Sequence, residues 1–369
     1  MASATRFFAS RMGIVIVGAI IGILAPLLQK LGNPGNMGVC VACFERDIAG
    51  ALGLHRAAVV QYLRPEIVGF VLGATLAALL FKEFKARTGS APIARFFLGV
   101  FAMIGALVFL GCPWRALFRL AGGDLNAVVG LIGLAVGVSI GVWFLRSGFN
   151  LGRSWPTRAA VGWIMPSLMV IFLLLAIFKP TFSEGGPIFT SEAGPGSQYA
   201  PLVISLLAGL TIGILAQRTR FCTMGSVRDV ILMRDTHLVS GVVGLLVVAF
   251  VMNLILGQFS PGVFGQPVAH SNHLWNFLGM VLAGLAFALA GGCPGRQLFM
   301  SGEGDGDAGV FVLGMFTGAA FAHNFNLAAR PDNVATGTVG GPSPWGMAAV
   351  IVGLLVCVVL GFAMREKYE

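Results

Sequence analysis

Long apolar stretches alternate with short polar ones along the whole chain. A bilayer-spanning helix needs about 20 apolar residues, or fewer where the helix is broken. Ten stretches meet this condition, at residues 12–31, 67–81, 96–110, 125–145, 159–178, 199–216, 238–256, 274–290, 308–325 and 345–364. The pattern predicts an all-α polytopic membrane protein.

Composition agrees with this prediction. Of the 369 residues, 57% are hydrophobic and only 11% are charged, whereas soluble domains are about a quarter charged. The net charge is +9, but the basic residues flank the apolar stretches, as topology signals do. Nucleic acid is therefore excluded as a partner. Six cysteines are too few for a disulfide scaffold in a chain this long.

The second half of the chain repeats motifs of the first. Residues 18–24 (GAIIGIL) match 209–215 (GLTIGIL), and Gly-Cys-Pro-Trp-Arg at 111–115 matches Gly-Cys-Pro-Gly-Arg at 292–296. From Cys40 onward, equivalent residues lie 181 or 182 positions apart. Each half holds five predicted spans, an odd number, so the halves should enter the membrane in opposite orientations, as in many transporters.

This organisation predicts two inverted five-span repeats with broken or re-entrant helices, at residues 1–178 and 199–369. Residues 179–198, rich in Gly, Pro, Ser and Glu, form an external linker that carries Glu184 and Glu192. With both termini in the cytoplasm, 16 of the 24 Lys and Arg residues fall on the inner side, in agreement with the positive-inside rule.

The paired Gly-Cys-Pro motifs are the main candidates for chemistry. Matching interrupted segments indicate a transporter's binding site, and Pro113 and Pro294 favour the first turn of a new helix. Cys112 and Cys293 would then cap two half-helices, with their thiols at the electropositive end that attracts anions. The expected anion-stabilising residues of the two motifs are Arg115, Arg296, Gly111 and Gly292.

A purely structural explanation exists for the cysteines and for the arginines. A membrane cysteine is often a small packing residue, and an arginine near a helix end can extend to the interface. The presence of both residue types at the same place in two halves favours the functional interpretation for Cys112 and Cys293. For Arg115 and Arg296 both explanations stay open.

A second motif pair follows the first span of each half. It contains Cys40 and Cys222, which could lie along a permeation path, and it predicts short helices that dip into the membrane. An Arg-Asp pair lies near the end of each segment and is interpreted as structural. The pairs are Arg46 with Asp47 and Arg228 with Asp229.

Cys43 has no counterpart in the second half and completes a Cys-x-x-Cys motif with Cys40. This spacing raises the alternative of a membrane thiol oxidoreductase. Cys357, alone in the last span, is interpreted as a packing residue. His270 and His273 lie in a predicted outer loop, and two imidazoles do not complete a metal site.

Together these motifs resemble the YeeE/YedE family of bacterial sulfur-transport membrane proteins. Residues 36–50 (NMGVCVACFERDIAG) are similar to the YedE-type branch associated with selenium metabolism. The resemblance implies an hourglass-shaped fold in which an anion passes along a line of cysteines. By motif, Cys112 and Cys293 match the central cysteines of that path, and Cys40 and Cys43 are both candidates for a further relay position.

We therefore expect a permease that imports a small selenium- or sulfur-containing anion, such as a selenium species or thiosulfate, through the bacterial or archaeal cytoplasmic membrane. The expected substrate path contains Cys112, Cys293, Cys40, Cys43 and Cys222. No catalytic residue, metal or cofactor is predicted. The alternatives are the thiol oxidoreductase and a subunit that docks a soluble sulfur- or selenium-carrier protein on a basic inner face formed by Arg218, Arg220, Arg228 and Arg234.

Overall fold

The computed structural model describes residues 7–183 and 186–366. Glu184 and both termini lie outside the described residues, so their places stay predictions. The described chain forms fourteen α-helices: α1 Arg11–Lys30, α2 Val41–Ala51, α3 Pro65–Leu80, α4 Pro92–Phe109, α5 Pro113–Ala121, α6 Asn126–Arg146, α7 Ala159–Phe178, α8 Leu202–Thr219, α9 Thr223–Met233, α10 His237–Ile255, α11 His273–Ala290, α12 Pro294–Gly302, α13 Gly306–Asn324 and α14 Pro344–Ala363.

Strands are few and short within this part of the chain. β1 Arg87–Thr88 pairs antiparallel with β2 Trp155–Pro156, and β3 Thr181–Ser183 pairs antiparallel with β4 Gly186–Pro187. A single 3₁₀ turn covers Pro195–Ser197 in the segment predicted as a linker. The helices therefore make up the body of the protein.

Eight helical stretches of the described residues are long and apolar enough to cross a membrane, and the predicted all-α membrane fold is confirmed. Two of the ten predicted spans form as helices but are not among the eight. One is α3, which has only 16 residues because Pro65 fixes its start. The other is α13, which has 19 residues but carries Asp307 and His323, and their polarity lowers its hydropathy.

The two sets of seven helices follow the same order of lengths. Each long helix that opens a half, α1 or α8, is followed by an 11-residue helix, α2 or α9. Further along, α5 and α12 have nine residues each. The main packing contacts are reciprocal between the halves, with α1 against α10 and α8 against α3, and with α4 against α13 and α11 against α6. The opposite orientation of the halves across a bilayer stays a prediction.

Glycines allow these helix pairs to approach closely. A Cβ atom at Gly18 of α1 would lie 2.0 Å from the carbonyl oxygen of Gly241 in α10, and one at Gly137 of α6 would lie 2.2 Å from that of Val281 in α11. No larger residue fits at either position without separating the backbones. Small residues are the usual means of close helix packing in membranes.

Burial separates the lipid-facing helices from the centre. The outer helices expose large apolar side chains, for example Val247 of α10 and Leu355 of α14, which are 53% and 61% exposed. By contrast, all eleven residues of α2 and eight of the nine residues of α5 are buried. The short helices α2 and α5, and likewise α12, therefore occupy the interior of the protein, whereas α9 is only partly buried.

Candidate functional site

Each of the four short helices α2, α5, α9 and α12 begins at a cysteine. Cys40 is the N-cap residue of α2 and Cys112 that of α5. In the second half, Cys222 precedes α9 and Cys293 precedes α12 in the same way. Pro113 and Pro294 occupy the first helical position after their cysteines. Free backbone N–H groups and the helix dipole make such ends attractive to anions.

The first thiol cluster consists of Cys40, Cys43 and Cys112, all fully buried. The Sγ atoms of Cys40 and Cys112 lie 3.7 Å apart, although the two residues are 72 positions apart in the chain. The backbone N–H of Cys43 donates to Cys40 Sγ at 3.3 Å. Helices α2 and α5 therefore bring their N-termini to one point.

The second thiol cluster consists of Cys222 and Cys293. The backbone N–H of Cys293 donates to Cys222 Sγ at 3.4 Å, and that of Gly225 donates to the same sulfur at 3.2 Å. Cys222 is 6% exposed and Cys293 is fully buried. All six cysteines are free thiols, including Cys357, which is buried in α14.

Arg115 is fully buried beside the first thiol cluster. Its Nη1 lies 3.5 Å from Cys43 Sγ and also donates to the carbonyl of Leu110. Its Nη2 donates to the carbonyls of Pro267 and Val268, both at 3.1 Å, and its Nε donates to that of Asn36 at 3.3 Å. Among the described residues no carboxylate forms an ion pair with this guanidinium, so its charge is balanced only by dipoles.

Arg296, the repeat equivalent of Arg115, has different surroundings. Its Nη1 forms an ion pair with Glu303 Oε1 at 3.0 Å, and the side chains are 10% and 7% exposed. Glu303 also lies 4.0 Å from Arg87. The two arginines are equivalent in the sequence motifs, but within the described residues Arg115 has no carboxylate partner, whereas Glu303 neutralises the charge of Arg296.

The motif glycines make room for these arginines. A Cβ atom at Gly111 would lie 2.9 Å from Cδ of Arg115, and one at Gly292 would lie 3.2 Å from Cγ of Arg296. Each glycine therefore leaves room for the arginine side chain of its own motif.

The two Arg-Asp pairs form ion pairs. Asp47 bridges Arg46 and Arg64, at 2.6 and 2.7 Å, and all three residues are buried. Arg228 contacts Asp229 at 2.7 Å in a more exposed place. The group of Arg46, Asp47 and Arg64 contains two cations and one carboxylate, so it keeps a net positive charge.

Two cavities reach toward the clusters from different loops. The first cavity, about 470 Å³, is lined by loop residues 265–268 and 328–332 together with Arg46 and His323. It includes Pro267 and Val268, whose carbonyls hold Arg115. The second cavity, about 420 Å³, has Cys222 on its wall and contains Arg218, Arg220, Arg228 and Arg296. Arginines therefore line both cavities.

Sequence analysis missed two buried polar residues at this site. Trp114, between the Pro and Arg of the first motif, is fully buried, and its Nε1 has no hydrogen-bond partner in the described residues. Glu45, on α2, is likewise fully buried, and neither carboxylate oxygen has a partner there. Both break the repeat, since Gly295 and Val227 occupy the equivalent positions, and that asymmetry was a readable signal.

The histidines do not assemble a metal site. No group of three or more His, Cys, Asp or Glu side chains within residues 7–183 and 186–366 could hold a metal ion. His270 hydrogen-bonds the carbonyl of Val108 through Nε2 at 2.8 Å in the loop before α11. Burial lowers the pKa of His270 to about 4, so it is neutral near pH 7.

Comparison with known proteins supplies the chemical context. Residues 218–369 match the family model described as Sulphur transport, and this region includes Cys222 and Cys293. A segment of 99 residues is 33% identical to the thiosulfate transporter TsuA of Spirochaeta thermophila. This segment makes up 27% of the chain and spans 29% of the relative's length.

Proposed function

We propose that this chain belongs to the sulphur-transport family of membrane proteins and is a permease for a small sulfur-containing anion such as thiosulfate. The proposal rests on one observation above all. Four helix N-termini in the protein interior each carry a cysteine, and these cysteines meet as two thiol clusters, one from each half. The name of the partial relative adds thiosulfate as the first probe.

The chemistry of the clusters suits such an anion. A neutral thiol is a weak hydrogen-bond donor and its sulfur is a soft, polarisable contact. The helix N-termini and Arg115 supply a positive potential that attracts the anion but does not bind it tightly. Several weak sites in series favour both entry and release, as in channels.

A selenium anion is the second candidate substrate. Cys43 has no counterpart in the second half and contacts the guanidinium of Arg115, so the first thiol cluster offers one more soft contact than the second. Selenium is larger and more polarisable than sulfur, and an added thiol suits it. Selenite and selenide are therefore tested beside thiosulfate.

The thiol oxidoreductase and the carrier-docking subunit make different predictions. An oxidoreductase requires Cys43 and an oxidant, so Cys43→Ser abolishes its activity. The Sγ atom of Cys40 also lies 3.7 Å from that of Cys112 on another helix, so Cys40 has a thiol neighbour outside the Cys-x-x-Cys motif. A docking subunit binds a carrier protein at the basic second cavity. It transports no free anion into vesicles whose lumen contains no carrier protein.

The test is uptake of labelled thiosulfate, selenite and selenide into proteoliposomes. Wild type is compared with Cys112→Ala and Cys293→Ala, and Cys357→Ala is the matched control because it removes a buried thiol outside both clusters. We expect each path variant to lower uptake by roughly tenfold or more, since about 1.4 kcal/mol lost at one site in series corresponds to a factor of ten.

Full transport by both path variants contradicts the proposed path. No uptake by wild type of any of the three anions contradicts the permease itself. Loss in Cys357→Ala as well indicates a folding defect, and thermal unfolding of each variant in detergent identifies it.

A further inference from the structure

The indole side chain of Trp114, near the first thiol cluster, packs against neighbours of both cysteines of the second thiol cluster. Trp114 lies two positions after Cys112, in the first turn of α5. Its ring meets Phe221, the neighbour of Cys222, edge to face at a centroid distance of 5.6 Å. On another side, a Cβ atom at Gly295 would lie 3.3 Å from the six-membered ring of Trp114. Gly295 in turn lies two positions after Cys293.

Aromatic side chains complete a layer around this indole. Phe70 and Phe299 lie 5.9 and 6.2 Å from Trp114, and 5.5 Å from each other, between ring centroids. All of these rings are buried. An anion that moves between the thiol clusters therefore meets an apolar layer in which Trp114 supplies a strong hydrogen-bond donor.

No group of the described residues satisfies that donor. The indole Nε1–H of Trp114 is buried and has no partner among the described residues. A buried donor without an acceptor costs about 1–3 kcal/mol, and native structures contain few of them. Phenylalanine would fill an aromatic layer without this cost, so packing alone does not account for tryptophan.

The repeat shows that only one indole fits. The residue equivalent to Trp114 in the second half is Gly295, and the indole occupies the space beside it, with Nε1 3.6 Å from the position of the missing Cβ. The two halves therefore differ at the place where they meet. This asymmetry gives the indole donor to the first half, where it lies beside Gly295 of the second half.

We propose that Trp114 forms an anion-binding station between the two thiol clusters, where its Nε1–H donates to an oxygen of a sulfur oxyanion in transit. The inference rests on the proposed permease function. A thiol contacts the terminal sulfur of such an anion, and the indole contacts an oxygen at its other end. The station thus selects anions that carry both a soft atom and an oxygen.

The test replaces the donor and keeps the ring. Incorporation of benzothienylalanine at position 114 substitutes sulfur for the N–H group with nearly the same shape, and Trp114→Phe is a second variant. The matched control places benzothienylalanine at Trp143, which is 51% exposed. Thiosulfate uptake in proteoliposomes gives KM and the maximal rate, and calorimetry in detergent gives the Kd for thiosulfate.

We expect a roughly tenfold or greater rise in the Kd for thiosulfate in both position-114 variants, because a hydrogen bond to a charged group contributes about 1.5–3 kcal/mol. The unfolding temperature of the benzothienylalanine variant should equal or exceed that of wild type, since an unsatisfied donor has been removed. Trp114→Phe also leaves a cavity and should unfold at a lower temperature. The control should bind as wild type does.

Unchanged Kd and KM in the benzothienylalanine variant, with wild-type transport intact, overturn the station and leave the permease in place. A lower unfolding temperature of the benzothienylalanine variant with unchanged Kd also overturns it, because the N–H then interacts with the Phe221 ring. Absence of thiosulfate uptake by wild type is a different result, which refutes the permease on which the station depends.

Discussion

Removal of the Arg115 guanidinium should weaken anion uptake far more than neutral removal of the Arg296–Glu303 ion pair. Arg115 has no ion-pair partner among the described residues and lies 3.5 Å from Cys43 Sγ, whereas Arg296 is neutralised at 3.0 Å. An anion at the thiol of Cys43 would be about 6 Å from the charge. At an effective dielectric constant of about 20, a unit charge at that distance contributes about 3 kcal/mol.

The variants are Arg115→Met, Arg115→Lys and the double variant Arg296→Met/Glu303→Gln, which preserves net charge. Because 1.4 kcal/mol is a factor of ten, Arg115→Met should raise the KM for thiosulfate about a hundredfold. Arg115→Lys should have an intermediate effect, since it keeps the charge but loses the fork that meets several carbonyls. The double variant should change KM by only a few fold.

The assay is initial uptake into proteoliposomes over a range of thiosulfate concentrations, with reconstituted protein quantified for each variant. Arg115→Met leaves buried carbonyls without donors and should also lower stability. Thermal unfolding in detergent therefore distinguishes the effect of the lost charge on uptake from a loss of folded protein. Equal KM values for Arg115→Met and the double variant, in folded protein, would refute the electrostatic reasoning.

Two further predictions concern stability and pH. Gly18→Val should lower the unfolding temperature by several degrees, because its Cβ would approach the Gly241 carbonyl to 2.0 Å and overpacking costs about 1–3 kcal/mol; Ile16→Val on the exposed side of α1 should have little effect. The burial-depressed pKa of His270, about 4, means that the unfolded chain binds the proton more readily than the folded one between about pH 6.5 and pH 4. Stability should therefore fall as pH is lowered through that window, and His270→Gln should flatten the dependence of the unfolding temperature on pH; an equally steep dependence in this variant would contradict the assignment.

Much of the fold could be predicted because it depends on local properties of the chain. The predicted span 159–178 coincides with α7 Ala159–Phe178, and the other nine spans overlap their helices closely. Apolar length fixes these helices, and the missing N–H of proline fixes the starts of α5 and α12. The helices at two predicted spans, α3 and α13, are too short or too polar to be counted as membrane-crossing. A helix packed inside the protein does not need the length or hydropathy of one that contacts lipid.

The candidate site was predictable in its membership more than in its geometry. Repeat equivalence singled out Cys112 and Cys293 with Cys40 and Cys222, and the structure brings them together in two clusters. It did not distinguish Arg115 from Arg296, because their partners come from distant loops or from the end of the same short helix. Trp114 was passed over because the comparison of the halves considered the residues they share, and Trp114 differs from its equivalent, Gly295.

The sequence alone determined an all-α membrane protein with two matched sets of helices and interior breaks at Gly-Cys-Pro, since apolar periodicity, proline and repetition act within a few residues. Only the tertiary structure decided which thiols meet, which backbone carbonyls surround the charge of Arg115, and how Trp114 occupies the space beside Gly295. These features arise where helices far apart in the chain pack against each other. Packing of that kind depends on the combined shapes of both surfaces, which no local pattern encodes.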